Sequence, residues 1–285
     1  MAFLELTDGN LVYETSGVSD GDALLFCHSL GANLHLWDRQ VALFENSHKI
    51  IRLDLRGHGQ SDIFSSPYSI DMLAKDVIHL LDHLDIRRCS FIGLSLGSMI
   101  GLWLAANHPH RFIQMALAGA SASVQKSAPF DKRIARIHKH GLDSMFDELN
   151  ERWYASNFVA NNSDKVNAVR KMVNATSKTG YIGATMAVRD FNIVEKLPEI
   201  DTEILLITGA EDKATPIAEA KAIAESCSNS KLFVIKNASH LAIIEQPDLF
   251  DTAIVNFINV VVLLALFGES RAAILAVGLR RRSFE

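Results

Sequence analysis

The chain has 285 residues, of which 48% are hydrophobic and 21% charged, so it has enough apolar material to bury a large core. A formal net charge of −5 with no basic stripe argues against a nucleic-acid-binding protein. Cys27, Cys89 and Cys227 lie far apart in apolar segments, so we expect reduced core thiols and a cytoplasmic protein. The first residues have no basic region and no long apolar segment, so no signal peptide is predicted.

Short apolar segments alternate with helix-like segments in the first part of the chain. Strands are predicted at residues 3–6, 11–15, 23–27, 50–54 and 89–92. The first two strands are expected to form a hairpin across Asp8-Gly9-Asn10, a typical turn sequence. A helix with Ser69 as its N-cap is predicted over residues 70–84, and a more apolar helix is predicted to end near residue 107.

A change of pattern marks the second part of the chain. A strand at 111–119 is followed by residues 121–190, in which helical segments such as 132–140 and 142–154 replace the strand-like runs. Strands return at 204–209 and 232–235, with a helix over 217–226 between them and a last helix from about residue 246. This alternation predicts an α/β fold with a mostly parallel central sheet, helices on both faces and a helical cap insertion.

The predicted elements also suggest a division of the chain. We expect residues 1–120 and 191–259 to form the α/β core and residues 121–190 to form the cap. Residues 260–285 form an apolar and basic C-terminal extension, interrupted by Glu269 and Arg271. These charges make the extension a poor transmembrane helix, so we expect a longer last helix or a tail. The alternative is a contact with a membrane surface or with another copy in a homo-oligomer.

A serine on a strand-to-helix turn is the strongest chemical signal. Gly93-Leu94-Ser95-Leu96-Gly97 follows an apolar strand and precedes an apolar helix. Such a turn lifts a serine hydroxyl off the sheet and points backbone N–H groups at the reacting atoms, so Ser95 is a candidate nucleophile. Gly17-Val18-Ser19-Asp20-Gly21 fits the same G-x-S-x-G pattern but lies in a polar loop with no helix after it, so we predict only a turn there.

Later loops supply the partners that a nucleophilic serine needs. A base must accept its proton, and an acid must hold that base in the correct tautomer. Asp212 follows one predicted strand and His240 follows the last one. The order Ser95, Asp212, His240 is the order that α/β-hydrolases use. Glu211 is adjacent to Asp212 and stays open as an alternative acid.

Two further loops lie at the same predicted edge of the sheet. The loop of His28-Ser29-Leu30-Gly31 follows the third strand, and Asp54 ends the fourth. An oxyanion formed by attack of the serine needs backbone N–H donors. We expect these donors to be the N–H groups of Leu96, directly after the serine, and Leu30.

Several segments together resemble one enzyme family. These segments are residues 28–31, 36–38, 54–59, 93–97, 103–109, 238–241 and 245–247. Over residues 11–257 the chain resembles α/β-hydrolases of the 3-oxoadipate enol-lactonase type. The resemblance implies hydrolysis of a small, carboxylate-bearing lactone during the degradation of aromatic compounds, with Ser95 attacking the carbonyl and His240 as base.

The resemblance also suggests which cap residues bind the substrate. Arg133 matches the position of an arginine in the family and would bind the carboxylate, although the pattern equally allows a solvated helix residue. The family often has tryptophan three residues earlier, where this chain has Phe130, and this departure leaves the exact substrate open. Phe130 and Trp153 are further substrate-binding candidates.

No metal and no cofactor are expected. His79 and His83 lie four residues apart on a predicted helix, but no HExxH glutamate accompanies them, which favours a solvated face. The alternatives to a lactonase are a broad carboxylesterase, a hydrolase that cleaves C–C bonds of ring-cleavage products, and a ligand-binding receptor with little turnover. A small-molecule ester or lactone is the expected partner.

Overall fold

The computed structural model describes residues 1–258, so the predictions for residues 260–285 lie outside the described part. An eight-stranded sheet runs through this part, in the order β1-β2-β4-β3-β5-β6-β7-β8. The strands are β1 (Ala2–Leu6), β2 (Gly9–Gly17), β3 (Asp22–Cys27), β4 (His48–Leu53), β5 (Cys89–Leu94), β6 (Phe112–Ala118), β7 (Glu203–Gly209) and β8 (Ser230–Ile235). Strand β2 pairs antiparallel with β1 and β4, and the remaining pairs are parallel. The predicted α/β class and mostly parallel sheet are confirmed.

The N-terminal hairpin is present, but its turn differs from the prediction. Gly9 pairs with Leu6 and Asn10 pairs with Glu5, so both already belong to β2. The turn is therefore made by the two residues before Gly9. Gly9 has a φ of 155°, which glycine adopts without strain, and it lies at the start of β2 rather than inside the turn.

Helices cover both faces of the sheet in the described part of the chain. They are α1 (Asp38–Phe44), α2 (Ile70–His83), α3 (Leu96–Asn107), α4 (Ala128–His140), α5 (Phe146–Trp153), α6 (Phe158–Asn161), α7 (Ser163–Ala175), α8 (Lys178–Arg189), α9 (Ile217–Ser226) and α10 (Ala242–Glu245). The chain is helical again over residues 247–258. Ser69 accepts a hydrogen bond from the Met72 N–H, which confirms the predicted N-cap of α2.

Side chains of each central strand alternate between two apolar cores. On β3, Leu25 packs in the core that contains α2 and α3, whereas Phe26 packs in the core that contains α1 and residues 247–258. All six residues of β5 are buried, because helices cover both of its faces. The continuous apolar runs from which these strands were predicted are therefore explained by burial of both faces of the sheet.

Helices α4 to α8 form one insertion between β6 and β7. Helix α4 begins at Ala128, earlier than predicted, and residues 142–145 form a short 3-10 turn before α5. A bridge between Ser123 and Asn192 joins the two ends of the insertion. The division into a core and a cap of residues 121–190 stays a prediction. Within residues 1–258, no helix is long and apolar enough to cross a bilayer.

Candidate active site

Ser95 lies on a tight turn between β5 and α3. Its backbone has φ 54° and ψ −108°, a conformation that non-glycine residues rarely adopt. The turn is held by hydrogen bonds at both ends, because the Ser95 N–H donates to the Ala118 carbonyl at 2.8 Å and the Ser95 carbonyl accepts from Met99 N–H at 3.0 Å. The surrounding strand and helix thus hold Ser95 in a strained backbone conformation, as at many functional sites.

The two glycines of the motif allow the strand and helix to converge. A Cβ atom on Gly93 would lie 2.6 Å from the carbonyl carbon of Gly97. A Cβ atom on Gly97 would lie 2.2 Å from the Cys27 carbonyl oxygen on the neighbouring strand. Both distances are far below van der Waals contact, so any side chain at either position would force the turn apart. Ser19, in the second match to the pattern, lies exposed in a turn, as predicted.

The structure brings Ser95, His240 and Asp212 into contact although they are far apart in the chain. His240 Nε2 lies 2.9 Å from Ser95 Oγ, and His240 Nδ1 lies 2.9 Å from Asp212 Oδ2. The imidazole is buried in the loop after β8. With the proton on Nδ1 donated to Asp212, Nε2 is free to accept the serine proton.

Asp212 is surrounded by hydrogen-bond donors. Its Oδ1 atom accepts from the N–H groups of Ala214 and Thr215, both at 2.8 Å, and Oδ2 also accepts from Thr215 Oγ1 at 2.9 Å. Burial alone raises the pKa of this carboxyl, but attraction to His240 and these hydrogen bonds outweigh it, so the pKa lies below its usual value. Asp212 is therefore ionised, whereas the neighbouring Glu211 side chain is exposed.

Two residues near His240 were missed by the sequence analysis. Thr215 Oγ1 lies 3.2 Å from His240 Nδ1 as well as bonding Asp212. Gly119 follows β6 with a φ of 56°, and a Cβ atom there would lie 2.9 Å from His240 Cε1. The only available signal was a glycine at the carboxyl end of a predicted strand, which by itself says nothing about the imidazole.

Leu30 and Leu96, the predicted oxyanion donors, both lie beside Ser95. Leu96 is the first residue of α3, where a helix leaves its N–H groups unpaired, and Leu30 lines the cavity next to Ser95. Within residues 1–258, neither the Leu30 nor the Leu96 N–H has a hydrogen-bond partner. Two such donors near one hydroxyl can bind an oxyanion.

His28 and Asp54 support the surrounding loops instead of contacting His240. His28 Nδ1 donates to the Ser29 carbonyl at 2.8 Å, and His28 Nε2 accepts from Leu55 N–H at 3.0 Å. Burial lowers the His28 pKa to about 4, so the ring is neutral and holds the loop that carries Leu30. Asp54 accepts from the N–H groups of Leu34 and Gln60, each at 2.8 Å.

A cavity of about 270 Å³ lies between Ser95 and the helical insertion. The predicted residues that line it are Ser95, His240, Leu30, Phe130, Arg133 and Trp153. Arg152 and Glu219 line it as well, and the sequence analysis singled out neither. The cavity therefore combines apolar walls with a few charged groups, as small-molecule sites usually do.

Arg133 is held from two sides. Its guanidinium lies 5.5 Å from the centre of the Phe130 ring, and Nη2 lies 3.7 Å from Glu148 Oε1. The side chain is only 9% exposed, and its buried Nε atom has no partner among the described residues. A buried donor beside the cavity is suited to an anionic ligand.

Comparisons with known proteins agree with this architecture. Residues 22–247 match the family described as alpha/beta hydrolase fold. The chain is 34% identical over 251 residues to 3-oxoadipate enol-lactonase 2 of Acinetobacter baylyi, covering 88% of this chain and 94% of the relative.

Solved structures show the same similarity. A hydrolase from Pseudomonas aeruginosa has a TM-score of 0.86 at 33% identity and covers 90% of this chain and 97% of its own. The enol-lactonase from Burkholderia xenovorans has a TM-score of 0.87 at 28% identity, with 90% of this chain and 100% of that chain covered. The strand-to-helix turn at Ser95, the sheet and these similarities lead to one conclusion: the chain belongs to the α/β-hydrolase fold family.

Proposed function

We propose that the protein is a serine hydrolase that cleaves a carboxylic ester or lactone through an acyl-enzyme. The observation that carries this proposal is the continuous chain of hydrogen bonds from Ser95 Oγ through His240 to Asp212, with 2.9 Å at each step. A serine hydroxyl is a weak nucleophile alone, and this arrangement is the one that activates it. The strained turn presents the same hydroxyl to the cavity.

In this mechanism Ser95 Oγ attacks the substrate carbonyl while its proton passes to His240 Nε2. The negative charge that develops on the carbonyl oxygen is stabilised by the N–H groups of Leu30 and Leu96. The C–O bond of the ester then breaks, and the leaving oxygen takes the proton from His240. A water molecule deprotonated by His240 releases the acyl group in the second half of the reaction, and Asp212 stabilises the imidazolium each time it forms.

The substrate we favour is a lactone of the enol-lactone type that carries a carboxylate. Two curated relatives are 3-oxoadipate enol-lactonases, at 34% and 29% identity. Arg133 would bind the carboxylate, and Phe130 and Trp153 would pack against the ring. On this proposal the enzyme acts in the cytoplasm, in the degradation of aromatic compounds.

A second candidate is suggested by other relatives. A putative carbamate hydrolase of Variovorax paradoxus is 26% identical over 257 residues. A carbamate presents the same carbonyl chemistry to a serine, so only the substrate separates it from a lactone or a simple ester.

The test is a panel of enol-lactone, simple esters and carbamates, assayed with the wild type and Ser95→Ala. We expect the enol-lactone to give the highest kcat/KM, and Ser95→Ala to lower kcat by about 10⁶-fold, as for other triad serines. A fluorophosphonate probe should label the wild type at Ser95 and leave the variant unlabelled. Full activity in Ser95→Ala, or no labelling of folded wild type, would contradict the proposed mechanism.

A further inference from the structure

Arg152 is a second arginine in the cavity, and its side chain has no partner in the described part of the chain. It lines the same cavity as Ser95, His240 and Arg133. Among residues 1–258, its guanidinium makes no hydrogen bond and no ion pair, although it has five N–H donors. The side chain is partly buried, and burial together with the nearby Arg133 lowers its pKa. A cation with these surroundings is costly to keep without an anion.

The charges along the cavity do not cancel. Its charged lining consists of Lys126, Arg133, Arg152 and Glu219, apart from His240. Outside it, Glu148 is shared between two arginines, at 3.7 Å from Arg133 and 3.3 Å from Arg136. Glu219 forms no ion pair with either cavity arginine. Apart from His240, the cavity lining therefore has three cationic side chains and one carboxylate, although the whole protein has a net charge of −5.

Stabilisation of a helix end does not explain Arg152. It lies in the last turn of α5, where an arginine often donates to free carbonyl groups. Here the Arg152 carbonyl already accepts a hydrogen bond from Ser239 Oγ at 3.2 Å, and the Trp153 carbonyl accepts from Leu241 N–H at 3.0 Å. The helix end thus has partners without the guanidinium.

The same two bonds hold the backbone at Arg152 next to the loop that carries His240. Ser239 and Leu241 are the neighbours of His240 on either side, and each bonds the backbone of α5 next to the arginine. An anion held by Arg152 would therefore lie close to His240 and Ser95, which line the same cavity. Holding the substrate close to these groups favours attack, because less freedom must be lost in the transition state.

We infer that Arg152 is a substrate-binding residue that, together with Arg133, binds a carboxylate of the substrate. This inference rests on the proposed hydrolase function and adds a specificity determinant that the sequence did not reveal. Arginine suits this role because its planar group can donate two parallel hydrogen bonds to one carboxylate. The cavity is then selective for anionic esters and lactones over neutral ones of the same shape.

The test compares two esters of one acid, of which one keeps a free carboxylate and the other has it capped by a methyl group. The para-nitrophenyl ester of succinic acid carries a free carboxylate, and its methyl diester is neutral, so the ratio of their kcat/KM values measures recognition of the charge. Loss of a charge-assisted contact should lower this ratio about 10- to 100-fold in Arg152→Met, mainly through KM for the anionic ester. The ratio for Arg152→Lys should lie between those of Arg152→Met and the wild type, because lysine keeps the charge but loses the paired donors.

Lys132→Met is the matched control, because Lys132 is an exposed cation on α4 outside the active-site cavity. It removes one positive charge and should leave the ratio within about threefold, as expected for an exposed charge. The inference is overturned if folded Arg152→Met keeps the wild-type ratio, or if Lys132→Met lowers it equally. If Arg152→Met does not fold, an unchanged ratio in Arg152→Lys together with unchanged inhibition by free succinate overturns it. Absence of hydrolysis of both esters by the wild type would instead count against the proposed function.

Discussion

Asp212 Oδ2 lies 2.9 Å from His240 Nδ1, whereas the side chain of the preceding residue, Glu211, is exposed to solvent. Two adjacent acids thus have different surroundings, because neighbouring side chains leave the backbone in different directions. Asp212 also accepts two backbone N–H groups, which hold its carboxylate in place. Substituting each of these two acids in turn tests which one supports the imidazole of His240.

We expect Asp212→Asn to lower kcat by about 10⁴-fold, because an amide no longer holds His240 in the required tautomer. Glu211→Gln removes the same charge one residue away and should change kcat less than about twofold, as for most exposed sites. The measurement is kcat at neutral pH with an ester that the wild type cleaves. A large loss in Glu211→Gln and a small one in Asp212→Asn would reverse the assignment.

Gly119→Ala should damage activity through the imidazole. The added Cβ atom would lie 2.9 Å from His240 Cε1 and must displace the ring. A displacement of this kind is expected to lower kcat about 10- to 100-fold. An alanine at φ 56° also carries backbone strain, which should lower the free energy of unfolding by about 1–2 kcal/mol.

Gly141→Ala separates these two effects. Gly141 has a φ of 78°, so alanine is strained there as well, but nothing lies within 4 Å of the added atom. Both variants should therefore lose stability in urea unfolding, and only Gly119→Ala should lose activity. Equal kcat values for the two variants would show that contact with His240 does not matter.

Glu245→Gln should weaken the connection between α5 and the histidine loop. Glu245 accepts the Ser239 N–H at 2.6 Å and the Ala155 N–H at 2.7 Å, and it is buried. A glutamine would turn its NH₂ group toward one of these donors, so we expect a loss of about 1–3 kcal/mol in the free energy of unfolding. Because Ser239 precedes His240, kcat should fall too.

The exposed Glu225 provides the control for this change. Glu225→Gln removes a negative charge without a buried contact and should leave the melting temperature and kcat close to wild type. Thermal unfolding and initial rates, recorded side by side, make the comparison. A melting temperature of Glu245→Gln equal to that of wild type would show that the two buried hydrogen bonds contribute no stability.

His58 should make the protein less stable in acid. Its Nδ1 donates to the Arg56 carbonyl at 2.9 Å, and its buried Nε2 has no partner among residues 1–258. Burial and the nearby His28 lower the pKa to about 3 from its ordinary value of 6.5. Between these two pH values His58 binds a proton in the unfolded chain but not in the folded one. The free energy of unfolding therefore falls as the pH drops through this range.

His58→Asn keeps a donor for the Arg56 carbonyl but cannot take up a proton. Urea unfolding at a series of pH values should show the variant gaining stability relative to wild type as the pH falls from 7 toward 4. His28, with a pKa of about 4, remains in both proteins, so some acid sensitivity persists in each. Parallel stability curves for the two proteins would exclude His58 as a contributor.

Much of the fold could be predicted from local patterns. The continuous apolar runs identified the buried strands, and the 3.6-residue spacing with Ser69 identified α2. Strand β2 begins two residues earlier than predicted, because strand pairing rather than turn composition decides where it starts. Helix α1 was not predicted, since its seven residues are too few to show a clear periodicity.

The sequence by itself determined that a serine lies on a strand-to-helix turn, with an acid and a histidine after later strands. Parallel strands bring their carboxyl ends to one edge of the sheet, so Ser95 and His240 could be expected to meet. Tertiary structure alone decided that Asp212 rather than Glu211 contacts the ring, and that Arg152 lines the cavity with no partner among residues 1–258. Those outcomes depend on side-chain direction and on how the helices of the insertion pack against the sheet, which are long-range contacts that no local pattern encodes.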